Sequence, residues 1–133
     1  MYSVICLDPG NSTGWLYQDK EGNLTGGTLP ADHCQVWELL NRFRADIVVY
    51  ETFQLYPSRA QKLSWNSFYP VEVIGVVKIW TYLNNKKLVG LQPSVKKFVG
   101  EAKFENVVIE GKLTEHTRDA RRLYDYFKKN KNF

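Results

Sequence analysis

Sulfur is scarce in this chain. It has two cysteines, Cys6 and Cys34, and one methionine in 133 residues. The cysteines stand far apart and form no Cys-x-x-Cys, which argues against a disulfide framework or a zinc site of ordinary spacing. Two reduced thiols in a cytoplasmic protein are expected. No apolar run approaches the roughly 20 residues of a membrane span. Asp8 cuts the N-terminal apolar stretch short, so no signal peptide is expected. Internal repeats and low-complexity tracts are absent as well. What is present is globular in composition, with 44% apolar and 24% charged residues. A chain of this length supports one domain with a single core, over residues 1–133. The net charge of +4 favours an anionic partner such as nucleic acid without requiring one.

The pattern is that of an α/β chain. Ser3 to Leu7 reads as a buried strand that runs into the turn "DPGNST". "GWLYQ" and "LTGGTL" are two further strands joined by a turn at Gly22-Asn23, giving an antiparallel meander. Asp32 is a candidate N-cap, with Gln35 as its capping-box partner. Val36, Leu39, Leu40 and Phe43 then recur at helical spacing. "DIVVY" is a continuous apolar run, typical of a strand covered on both faces, and it ends at Glu51. A helix is predicted over Pro70 to Asn84, with a start as early as Ser58 left open, and "KLVGLQP" is a short strand. Ser94 is a candidate cap for a short helix through Val99, and residues 101–113, "EAKFENVVIEGKL", read as a polar connection with one apolar knot. Ala120, Leu123, Tyr124 and Phe127 mark a closing amphipathic helix. The expected sheet is mixed and five-stranded, flanked by helices, with the first strand parallel to Ile47–Tyr50.

Two buried strands thus end in carboxylates. If they are neighbours, Asp8 and Glu51 lie about 4.8 Å apart at one sheet edge. Carboxylates that close require a proton or a cation between them. Ligands of open α/β sheets bind beyond this edge. Asp119 lies beside the apolar stripe of the last helix, and His116, three residues earlier, shares its face. A third acid beside Asp8 and Glu51 would make a cluster suited to two hard divalent ions and to in-line phosphoryl displacement. The blander reading of Asp8 is turn chemistry, and of His116 a solvated helix residue.

At these residues the chain resembles the RuvC-like Holliday junction resolvases. "LDPGNSTGW" is similar to their first motif, "DIVVYETF" to their second acidic motif, "LQPSVKKFVG" to their paired-lysine segment and "HTRDA" to their closing motif. The resemblance runs over nearly the whole chain, in the family's order. It implies an RNase H-like fold, a homodimer, and metal-dependent cutting of four-way DNA junctions with Mg²⁺ or Mn²⁺. Asp8, Glu51 and Asp119 would be the metal-binding acids, His116 the fourth catalytic residue, and Lys96 and Lys97 contacts to the phosphate backbone. The chain is shorter than the cellular resolvases and compressed around 100–115, which suggests a phage-type member. Cytoplasm of a bacterium or of a phage-infected host is the expected location.

The stretch Tyr56, Arg59, Lys62, Trp65, Phe68, Tyr69 mixes cations and rings. Arg59 and Lys62 are therefore candidate DNA-binding residues, with the rings available to stack on unpaired bases. The same rings would also suit a core or a dimer contact. The residues leave three other readings open: a less selective flap or branch nuclease, an inactive junction-binding protein, and an actin-like nucleotide binder suggested by "DPGNST". The last requires a second domain and a second phosphate loop, for which the chain has neither room nor motif.

Overall fold

A computed structural model describes residues 1–30, 32–53 and 69–130. The strands are β1 (Val4–Pro9), β2 (Ser12–Gln18), β3 (Leu24–Pro30), β4 (Ile47–Glu51), β5 (Lys87–Leu91) and β6 (Val107–Glu110). Among the described residues the α-helices are α1 (His33–Phe43), α2 (Tyr69–Leu83) and α3 (Glu115–Lys129), with a 3-10 helix at Pro93–Phe98. One sheet runs in the order β5-β4-β1-β2-β3-β6. The meander β1-β2-β3 is antiparallel, while β4 pairs parallel to both β1 and β5.

Among the described residues the sheet has six strands, one more than expected. Val107–Glu110 pairs parallel to β3, from Leu24 opposite Val107 to Gly27 opposite Glu110. Val107, Val108 and Ile109 are β-branched and favour a strand, but the run is four residues long between polar flanks, too short to mark one by itself. Left-handed residues bracket it, Asn106 at φ 65° and Gly111 at φ 74°, and turn the chain in and out of the pairing. A two-point ion pair from Arg42 on α1 holds Glu110 at its end, with Nη1 to Oε1 at 2.6 Å.

Side chains alternate across the sheet, so its central strands feed two cores. Ile5, Leu7, Trp15 and Val48 pack with α1 and α2, through Val36, Leu39, Leu40, Val73, Val77 and Trp80. Val4, Cys6, Leu16, Val49, Val89 and Leu91 pack under α3, through Ala120, Leu123, Tyr124 and Phe127. "DIVVY" is apolar throughout because Val48 faces one core and Val49 the other. The stripes expected on α1 and α3 face the cores, with Phe43 alone only partly buried.

Two caps differ from expectation. Asp32 caps α1 by accepting from the Cys34 N–H at 2.8 Å, but the Gln35 amide reaches the Asp32 carboxylate and not its backbone, so no reciprocal box forms. Ser94 lies inside the 3-10 helix, whose cap position is Gln92 without a side-chain bond. The free cysteines are Cys6, buried under α3, and Cys34, exposed. No helix among the described residues is long and apolar enough to cross a membrane.

Candidate active site

The alternation that builds the α3 core also aims the acids. Val4 and Cys6 face α3, so Asp8, two residues on, faces the same way. Val49 does the same for Glu51 on the neighbouring strand. The β1–β4 register runs from Val4 opposite Ile47 to Leu7 opposite Tyr50 and brings the two strand ends level. The first turns of α3 pass over this edge. Asp8, Glu51 and Asp119 each offer a carboxylate oxygen within 4.8 Å of the others, and Asp8 is buried. The three acids read from the sequence therefore meet in one place.

His116 meets them too. Its Nδ1 lies 2.9 Å from Asp8 Oδ2, while about a third of its side chain remains open to solvent. Room for the ring comes from Gly10, where a methyl group would sit 2.3 Å from His116 Cε1. A chain atom at Gly14 would lie 2.0 Å from the His116 carbonyl oxygen, so α3 seats its first turn directly on the β2 backbone.

A hydroxyl network holds that first turn. Thr114 caps α3 and Thr117 answers it in a capping box. Thr28 on β3 approaches both, 2.8 Å from the Thr114 hydroxyl and 2.6 Å from that of Thr117. Thr117 also donates to the Gly27 carbonyl at 3.2 Å. Sequence reading missed this clamp, although Thr-x-x-Thr before an apolar stripe is a legible cap. Thr13 lies on the opposite face from Asp8 by strand alternation, so its buried hydroxyl does not reach the acids.

Lys96 enters from the 3-10 helix that follows β5. Its Nζ lies 3.0 and 3.2 Å from the two oxygens of Glu51 and 3.1 Å from Asp119 Oδ2. Arg122 takes the other oxygen of Asp119 at 2.6 Å and also reaches Glu115 at 3.2 Å. The paired lysines diverge. Lys97 is exposed, with its ammonium over the Phe98 ring at 5.3 Å. Arg59 and Lys62 lie outside the described residues, as does the possible early start of α2 near Ser58.

Burial pushes the Asp8 carboxyl up to about 9, and hydrogen bonding to and repulsion by Glu51 add to the shift, followed by repulsion from Asp119. Burial works against the Lys96 charge, but its bonds to Glu51 and then Asp119 outweigh that and raise its pKa. Without a metal the cluster therefore balances its charge with a proton on Asp8 and two basic side chains. The donor set fits a hard divalent ion: all oxygen, carboxylate-rich, and at the open edge of the sheet.

The fold, with its six-stranded mixed sheet and helices on both faces, is RNase H-like, and solved structures of RuvC share it. A structure of T. thermophilus RuvC in complex with a Holliday junction substrate superposes with a TM-score of 0.65, at 17% identity, over 97% of this chain and 96% of that one. Another Thermus thermophilus RuvC structure gives 0.53 at 19% identity, over 96% and 95%. No protein-family model matches the chain, and no curated protein sequence matches it.

Proposed function

We propose that this chain, acting as one domain, is a Holliday junction resolvase. On this reading it nicks four-way DNA junctions by divalent-metal-dependent phosphodiester hydrolysis, with Mg²⁺ as the ion and Mn²⁺ as its substitute. One observation carries the reading: carboxylates from β1, β4 and α3 converge within 4.8 Å at the sheet edge, in a fold shared with RuvC. Asp8, Glu51 and Asp119 would hold the ions. When bound, such ions neutralise charge developing on the phosphate and activate water for in-line attack. The chain's own residues do the rest. His116 fixes the Asp8 carboxylate and, part exposed, is placed to exchange a proton with solvent. Lys97, with Arg59 and Lys62, would contact the DNA backbone, a salt-sensitive contribution.

A homodimer would place two such sites on opposite arms, matching the junction's own twofold symmetry. The outer face of α2 supports this. Val71, Ile79 and Tyr82 form an exposed stripe with Leu83 beside it, opposite the buried Val73, Val77 and Trp80. The bacterial or phage-infected host cytoplasm is the proposed location.

The test offers a synthetic four-way junction, a flap and a linear duplex of equal length, with Mg²⁺ and with EDTA. Paired nicks in opposite arms of the junction alone, lost in EDTA, are the expected result. Equal cutting of flaps would make the protein a general branch nuclease. Binding without cutting in Mg²⁺ or Mn²⁺ would make it an inactive junction binder. Asp8→Asn should lower cleavage by more than about a hundredfold, the scale of a lost ~3 kcal/mol contribution, and leave junction binding intact. Loss of binding as well would assign Asp8 a structural role.

A further inference from the structure

Lys96 stands where the resemblance did not put it. Its ammonium is not offered to a DNA backbone on an open surface. About a fifth of its side chain is exposed, and it bonds to two of the three clustered acids at once. Arg122 differs: it touches only Asp119 of the three and divides itself with Glu115 on the outside of the helix. The site thus already contains a cation seated between Glu51 and Asp119.

We propose that Lys96 is a resident counter-cation that competes with the divalent ion for the Glu51–Asp119 side of the cluster, and that metal binding there displaces it. The proposal rests on reading the acids as a metal site. An ammonium 3.0–3.2 Å from three carboxylate oxygens occupies the lone pairs a metal would use. Mg²⁺ and Mn²⁺ bind such oxygens far more closely, Mg²⁺ at about 2.1 Å, so the two cations cannot share that position. The lysine has somewhere to go. It is carried by a short 3-10 helix on the molecule's edge, and the ammonium caps a flexible four-carbon stem. The consequence is a centre held together without metal whose affinity on one side is set below what its acids alone would give. Asp8, which Lys96 does not bond, would take an ion without that competition.

The experiment measures Mn²⁺ binding to the full chain by titration calorimetry, without DNA, and melting temperature in EDTA and in Mn²⁺. Lys96→Met keeps the stem and removes the charge. It should bind Mn²⁺ roughly five- to tenfold more tightly than wild type, the scale of one partly buried ion pair. It should also melt lower than wild type in EDTA and gain more from Mn²⁺. Lys96→Arg, which keeps the charge, should bind as wild type does. Equal or weaker Mn²⁺ binding by folded Lys96→Met, or an equal melting deficit with and without Mn²⁺, would overturn the proposal while leaving the metal site standing. If neither wild type nor variant binds Mn²⁺, the metal-site reading itself fails and the proposal falls with it. Should Lys96→Met not fold in EDTA, Lys96→Gln carries the same comparison.

Discussion

Asp8 is the residue on which the proposed chemistry turns, because its position is costly to ionise. It is buried, it faces two other acids, and its carboxyl pKa is raised from 3.8 to about 9. The unfolded chain gives up this proton near pH 4, while the metal-free folded protein keeps it. Folding stability from this group is therefore full below about pH 4 and declines as pH rises toward 9. In EDTA, the melting temperature should fall across that window, and Asp8→Asn should flatten the fall. Mn²⁺ binding at pH 7 should release about one proton, read from calorimetry in buffers of different ionisation enthalpy. A release near zero would mean that Asp8 is already ionised in the free protein. His116 belongs to the same unit, since its ring holds Asp8 and depends on the space that Gly10 leaves.

At the scale of elements, the decisive contact is α3 on the sheet. The helix buries Ala120, Leu123, Tyr124 and Phe127, and each large apolar side chain contributes about 1.5–3 kcal/mol of burial. That apolar face fixes the rotation of α3 and so directs Asp119 to the acids. The height of the helix above the sheet is set elsewhere, by Gly14 and by the Thr28–Thr114–Thr117 hydroxyls. Gly14→Ala must push the first turn outward, because its methyl would overlap the His116 carbonyl. The expected cost is about 1–3 kcal/mol of stability, the range for overpacking. A larger relative loss of Mn²⁺ affinity should accompany it, since both His116 and Asp119 ride on that turn. Unchanged melting and unchanged Mn²⁺ binding would show that α3 does not sit on β2 at Gly14.

The whole molecule presents two different helical faces of the sheet. The α3 side carries the acids. The α1–α2 side ends in an apolar stripe with Tyr82 and Leu83 mostly exposed, at 78% and 63%. On the proposed dimer this stripe is the contact, so Ile79→Glu combined with Tyr82→Glu should yield a monomer by light scattering while each protomer still binds Mn²⁺. Persistence of the dimer would move the contact away from α2. Loss of paired nicking with retained single nicks would tie the pairing of cuts to the assembly.

Much of this was legible in the residues because strands and helices carry their own periods. Alternation and continuous apolar runs located β1 and β4, and their ends are the places where Asp8 and Glu51 stand. The spacing of Ala120, Leu123, Tyr124 and Phe127 set the buried face of α3, and with it the side on which His116 and Asp119 lie. Those signals are local, each written within a few residues of the group it positions. β6 was missed because three β-branched residues between polar flanks are too short a run to define a strand alone, and its pairing with β3 completes it. The seat of α3 was equally hidden, since a glycine acquires that meaning only when another backbone arrives within 2.0 Å of where its side chain would be. Lys96 is the clearest case. Two adjacent lysines are alike in sequence, and only the turn after β5 sends one into the acid cluster and the other out over Phe98. Periodicity decides which face a residue occupies; which partner it meets there depends on segments distant in the chain, and the packing of the sheet and its helices brings them together.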